Sequence, residues 1–104
     1  MRPMTERVEA PKPAMSLATA ARAELQRAVG KHIAETRIAL DIGQAECARA
    51  AGIDTSSMFR IESGTQNLTL DTLARVSLAL GVPMSRLVEG VAPDPAIIEL
   101  RSRR

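Results

Sequence analysis

The chain has 104 residues, with 14 lysines and arginines against 12 aspartates and glutamates, so its formal net charge is only +2. A single cysteine excludes an internal disulfide, and no apolar stretch approaches the roughly 20 residues that a membrane span requires. Aliphatic side chains must build the core, because the chain has one phenylalanine and neither tryptophan nor tyrosine. We therefore expect one cytoplasmic, all-α domain without a membrane partner.

Three prolines and mixed charge in residues 1–15 predict a flexible N-terminal arm. Apolar residues then recur at helical spacing from Ser16 to Leu40, interrupted only by Gly30. The first helix is thus either one long rod or two pieces broken at that glycine. Further helices are predicted at about residues 44–51, 55–63, 70–80 and 83–89. The predicted organisation is an arm (1–15), a helical domain (16–90) and a C-terminal tail (91–104).

Residues 43–64 are typical of two short helices joined by a glycine turn. Gly52 can adopt the positive φ that ends the first helix, and the Asp54 carboxylate can cap the second. Helical spacing turns Met58 and Ile61 inward. The residues left on the outward face of the second helix are Thr55, Ser56, Phe59, Arg60 and Ser63. The pattern therefore predicts a helix-turn-helix with a mostly polar outer surface.

With these features the sequence resembles the lambda-repressor-like family, the phage repressor and Cro type of DNA-binding domain. The matching segments include Gln44-Ala45-Glu46, Ile61-Glu62-Ser63-Gly64 and Asn67-Leu68-Thr69-Leu70-Asp71-Thr72-Leu73, and the resemblance runs from about residue 28 to 90. It implies a compact five-helix domain with an extended N-terminal helix. The sequence departs from the family pattern at three positions, which are Gly43, Cys47 and Leu68.

The resemblance places the second motif helix in the major groove, with Thr55, Ser56 and Arg60 at base edges. The planar guanidinium of Arg60 can bind guanine O6 and N7 together, although a phosphate contact or a surface ion pair is equally open. The alternative for Thr55 and Ser56 is that their short hydroxyl side chains serve only to begin the helix. We include Ser57, in the same helical turn, among the candidate DNA-binding residues.

Gln44, Ser63 and Asn67 are the expected phosphate contacts. The alternative for Gln44 is an ordinary solvent-facing side chain, and for Asn67 a plain solvated loop with Thr65 and Gln66. Phe59 is expected either to touch a thymine methyl group or, with a slight preference, to pack as an edge residue of the core.

Arg37 and Glu62 resemble a pair with which the family ties its first helix to the end of the recognition helix. Losing one partner would cost about 3–5 kcal/mol if the pair is buried, and less than about 1 kcal/mol if it is exposed. Cys47 is expected to be a buried, inert thiol and His32 a surface residue. No cluster has metal-ligand spacing and no catalytic or phosphate-loop motif is present, so we expect no metal, no cofactor and no enzymatic activity.

We therefore predict a dimeric, sequence-specific regulator of transcription that binds a double-stranded operator and represses a promoter by occupying it. The apolar tail segment Ala96-Ile97-Ile98-Glu99-Leu100 must fold back or pack against a neighbour, and dimerisation through the tail or near Met84, Leu87 and Val88 is favoured. Two alternatives remain. One is an antitoxin-like autoregulator that binds a partner protein through an arm, for which residues 91–104 are the candidate. The other is a protein-interaction module without DNA binding, which the net charge of −1 over residues 31–90 keeps open.

Overall fold

A computed structural model describes residues 16–98, and within that range the chain forms helices and no strands. Five α-helices are followed by one short 3₁₀ helix. They are α1 (Leu17–Ala39), α2 (Gln44–Ala51), α3 (Thr55–Ser63), α4 (Leu70–Leu80), α5 (Met84–Leu87) and the 3₁₀ helix η1 (Pro95–Ile97). The predicted all-α, five-helix fold is confirmed, although α5 is shorter than the predicted 83–89. The arm expected at residues 1–15 and the tail end at 99–104 lie outside the described residues.

The long helix α1 runs unbroken for 23 residues, starting where the Ser16 hydroxyl accepts a hydrogen bond from the Thr19 backbone N–H at 3.0 Å. Gly30 does not interrupt it. That glycine is buried where α1 crosses α3, and a Cβ there would overlap the Ile61 carbonyl oxygen and lie 2.8 Å from that of Glu62. Of the two predicted forms of the first helix, the structure has the single rod, because the glycine provides space and not a break.

A second glycine sits at the other side of the same crossing. Gly64 follows α3 with a φ of 78°, and a Cβ at this position would lie 2.7 Å from the Arg27 Cα. The two helices can therefore approach each other backbone to backbone. Position 64 therefore requires glycine for two reasons: the backbone is in the left-handed region, and a side chain would collide with α1.

The core lies between the helices, with α2 packed against α3 and α4, and α1 packed across α3 and α5. It is entirely aliphatic apart from two sulfur-containing residues, as the composition predicts. Its members are Ile33, Cys47, Ala48, Ala51, Met58, Ile61, Leu73, Val76, Leu80 and Leu87. Every α-helix contributes at least one of these side chains. No helix among the described residues is both long enough and apolar enough to cross a membrane.

The C-terminal tail folds back on the domain as far as η1, which packs against α1. Val91, Ala96 and Ile97 are half-buried, whereas Ile98 is exposed. Folding back was one of the two fates expected of the apolar tail segment. Of the three residues suggested for a dimer surface, Met84, Leu87 and Val88, the structure excludes only Leu87, which is fully buried in the core of its own domain.

Gly30→Ala is expected to destabilise the protein by about 1–3 kcal/mol, because the new methyl group overpacks the α1–α3 crossing against backbone atoms. Helix propensity alone would give the opposite sign, a gain of about 1 kcal/mol. Urea unfolding followed by circular dichroism measures the difference. Gly43→Ala is the control, because nothing lies within 4 Å of a Cβ at that position. A stability equal to or above that of the wild type for Gly30→Ala would contradict the packing described.

Candidate nucleic-acid interface

The orientation of α3 is set by an ion pair at its C-terminal end. The Arg37 guanidinium on α1 meets the Glu62 carboxylate in a forked geometry, with Nε–Oε2 at 2.6 Å and Nη2–Oε1 at 3.0 Å. The two side chains are only 14% and 8% exposed. The hydrogen bond to Glu62 raises the pKa of Arg37 above its ordinary value, against the opposing effect of burial. The pair predicted from the sequence is therefore formed and largely buried.

The same carboxylate also holds the start of α2. Gln44 Nε2 donates to Glu62 Oε1 at 2.9 Å, and Arg37 Nη1 donates to the Ile42 carbonyl oxygen at 2.8 Å. Gln44 is thus not an ordinary solvent-facing glutamine, because it is half-buried and bound to α3. One of its two amide N–H donors is used in this bond. The ion pair and these two bonds connect α1, the 40–43 turn, α2 and α3.

The buried and exposed residues of α3 lie on the two sides of the helix that helical spacing predicts. Met58 and Ile61 are buried, and Ser57 is half-buried. The exposed residues are Thr55, Ser56, Phe59, Arg60 and Ser63. The structure therefore brings the predicted base-edge candidates together on one exposed surface.

Asp54 caps α3 as the sequence indicates. Its Oδ1 accepts from the Ser57 backbone N–H at 2.7 Å and from the Ser56 hydroxyl at 2.9 Å. These bonds lower the pKa of Asp54, the backbone bond from Ser57 most of all and the Ser56 hydroxyl next. The Ser56 hydroxyl is therefore already engaged at the helix start, whereas Thr55 beside it is simply exposed.

Arg60 lies along the flank of α3 and is held by two neutral acceptors. Its Nε donates to Gln66 Oε1 at 3.0 Å, and its Nη2 donates to the Ser57 hydroxyl at 3.3 Å. The only ion pairs among residues 16–98 lie elsewhere, so the structure does not show the surface ion pair considered for Arg60. Sequence reasoning noted Gln66 only as part of a polar loop. No helical spacing rule links it to Arg60, because the chain turns at Gly64 between them.

The predicted phosphate contacts at the end of α3 are exposed. The Ser63 hydroxyl donates to the Arg60 carbonyl oxygen at 3.2 Å and lies 3.2 Å from the Thr65 hydroxyl. Asn67 Oδ1 accepts from Gln26 Nε2 on α1 at 3.5 Å, a long bond between exposed groups. The loop after α3 is therefore bonded both to α3 and to α1.

Phe59 is 60% exposed and is not among the residues packed in or against the core. The slight preference for a core-edge role was therefore wrong. The reason is helix geometry. Met58 and Ile61 form the inward side of α3, and Phe59, the residue after Met58, is rotated away from that side towards solvent.

Cys47 is fully buried, and burial raises the pKa of its thiol, as expected of an unreactive core cysteine. His32 is half-buried, not on the open surface as expected. Within residues 16–98 no three side chains of the metal-binding types form a group that could hold an ion.

Comparison with known proteins places this arrangement in a family. A helix-turn-helix family model of the XRE type matches residues 33–87, which is more than half of the chain and includes all of α2, α3 and α4. The restriction-modification controller protein C.AhdI from Aeromonas hydrophila is similar in structure, with a TM-score of 0.60 and 28% identity over 62% of this chain and 97% of that one.

Two more distant structures share the fold. The clp gene regulator ClgR from Corynebacterium glutamicum has a TM-score of 0.60 and 23% identity, over 62% of this chain and 83% of that one. The hypothetical transcription factor NHTF from Neisseria has a TM-score of 0.60 and 22% identity, over 84% and 88%. No curated protein sequence matches the chain significantly.

Glu62→Ala is expected to destabilise the fold by about 3–5 kcal/mol, because it leaves the Arg37 guanidinium buried without its partner. Chemical unfolding measures the loss. The matched control is Glu24→Ala, which removes the acidic partner of an exposed pair with Arg27 and is expected to change stability by less than about 1 kcal/mol. Equal, small effects of the two substitutions would show that the Arg37–Glu62 pair does not hold α3.

Proposed function

Because the chain belongs to the XRE-type helix-turn-helix family and is a DNA-binding regulator of transcription, we propose that it represses a promoter by occupying a specific double-stranded operator as a dimer. The observation that carries this proposal is the exposed outer face of α3, held rigidly by the buried Arg37–Glu62 pair. A helix presented in this way fits the major groove, which admits one α-helix.

In the proposed complex Thr55, Ser56 and Arg60 contact base edges. Arg60 exchanges its bonds to Gln66 and Ser57, one to each residue, for a paired contact with guanine O6 and N7. The hydrogen bonds between Asp54 and the first turn of α3 keep that turn in place as it enters the groove.

We assign Gln44, Ser63 and Asn67 to the phosphates. The second N–H of the Gln44 amide and the backbone N–H groups that begin α2 favour an anionic oxygen, aided by the helix dipole. Residues 31–90 carry six basic and seven acidic side chains, so few phosphates are neutralised per copy. Affinity for random DNA is therefore expected to be modest, and specificity depends on the bases.

Dimerisation compensates for this modest affinity, because two linked copies add their contacts. Two copies related by two-fold symmetry would place their α3 helices about 34 Å apart, one turn of the duplex. Light scattering of the protein and footprinting of its complex test this, with a dimeric mass and two protected segments at that spacing as the expected results. A monomer that protects a single segment would contradict the dimer.

Arg60→Ala is expected to reduce the preference for the operator over random duplex by about fivefold to 150-fold for each half-site, because one bidentate base contact supplies about 1–3 kcal/mol of discrimination. Binding isotherms on an operator selected from a random duplex library measure this preference. Thermal stability should stay unchanged, because Arg60 is exposed.

The control for Arg60 is Arg49→Ala, which removes the same charge from an exposed position on α2 outside the proposed contact surface. Its ratio of operator to random binding should equal that of the wild type. If Arg60→Ala also leaves the ratio unchanged, Arg60 does not contact bases. If the wild-type protein itself shows neither sequence preference nor salt dependence, the proposed operator binding is wrong.

A further inference from the structure

Phe59 is the chain's single aromatic residue, and it contributes nothing to the core. The residue is 60% exposed, in the middle of the α3 face that we assign to the major groove. A side chain of this size in the centre of a contact surface strongly affects which chemical groups can bind there, because aromatic side chains bury large apolar areas on contact.

The neighbours of Phe59 leave the ring uncovered. One turn before it on α3 are Thr55 and Ser56, and one turn after it is Ser63, all with short side chains. The longer neighbour Glu62 is directed inward to Arg37 and is 8% exposed. The ring is therefore the feature of this side that extends furthest from α3.

Arg60 does not cover the ring either, because it is drawn to the other flank. Its guanidinium bonds to Ser57 and Gln66, three residues before it and six residues after it. The outer face of α3 thus has two chemically distinct sides, a cationic one at Arg60 and an apolar one at Phe59.

We infer that Phe59 is a specificity-determining residue that contacts the 5-methyl group of a pyrimidine, which in unmodified DNA is thymine. This inference rests on the proposed function. In the major groove the donors and acceptors of the four bases are polar, and the thymine methyl group is the one apolar feature among them. A phenyl ring can form no hydrogen bond with base edges, so placing it over any other base desolvates polar atoms without compensation.

The test replaces single thymines of the selected operator by deoxyuridine, which removes the methyl group and keeps every base-pairing atom. For the wild-type protein, one thymine per half-site should show a loss of affinity of about fourfold, the value for one buried methyl-sized group. Phe59→Ala should abolish that loss, binding the thymine and deoxyuridine duplexes equally. Binding of both proteins is measured at one fixed salt concentration, because affinity for DNA varies with salt.

Leu78→Ala is the matched control, since Leu78 is an apolar side chain, 80% exposed, on α4 and outside the contact surface. It should retain the thymine preference in full. Phe59→Leu, which keeps an apolar side chain, should retain part of it. Unchanged melting temperatures for all three variants are expected, because each replaced side chain is exposed.

Methylated cytosine presents the same methyl group, so a second set of duplexes carries 5-methylcytosine in place of each operator cytosine. If 5-methylcytosine raises the affinity of the wild type but not of Phe59→Ala, and replacing thymine by deoxyuridine changes nothing, the assignment to thymine is wrong. The inference also fails if Phe59→Ala weakens thymine and deoxyuridine duplexes by the same factor. If the wild-type protein prefers its operator but removing the methyl groups has no effect, only this inference is wrong. If the wild-type protein shows no preference for any sequence, the proposed function is wrong, and this inference with it.

Discussion

The structure depends on one carboxylate, that of Glu62, which accepts hydrogen bonds from Arg37 on α1 and Gln44 on α2. A buried ion pair is not primarily a source of stability, because desolvation offsets much of its attraction. Its value here is geometric, since a forked pair forms in only one orientation of the two groups. The angle of α3 against α1, and with it the direction of the exposed face, follows from that orientation.

This constraint matters because α3 has only nine residues and would not be stable as an isolated helix. Its form comes from the burial of Met58 and Ile61, and from the close contact with α1 that Gly30 permits. Packing and polar contacts thus act on the same inward side of this short helix, where Glu62 lies one turn after Met58. The exposed face is therefore positioned from its buried side, by Met58, Ile61 and Glu62.

A rigid face on a domain with almost balanced charge favours selectivity over strength of binding. Residues 31–90 carry only six basic side chains against seven acidic ones, so in the proposed complex few phosphates are neutralised and discrimination depends on contacts in the groove. The structure divides the outer face into the Arg60 side and the Phe59 side, two chemistries suited to different base edges. The division was invisible in the helical pattern, which shows only that both residues face outward.

The sequence by itself determined the bounds of α2, α3 and α4 and the inward and outward sides of α3, because these follow from local periodicity, caps and glycine turns. It also indicated the Arg37–Glu62 pair, through a family resemblance. Only the tertiary structure decided that α1 passes through Gly30 unbroken, that the tail returns to α1, and that no neighbouring element packs over the outward-facing Phe59. The physical reason is distance along the chain: each of these outcomes depends on how an element meets partners many residues away, and local spacing carries no information about such contacts.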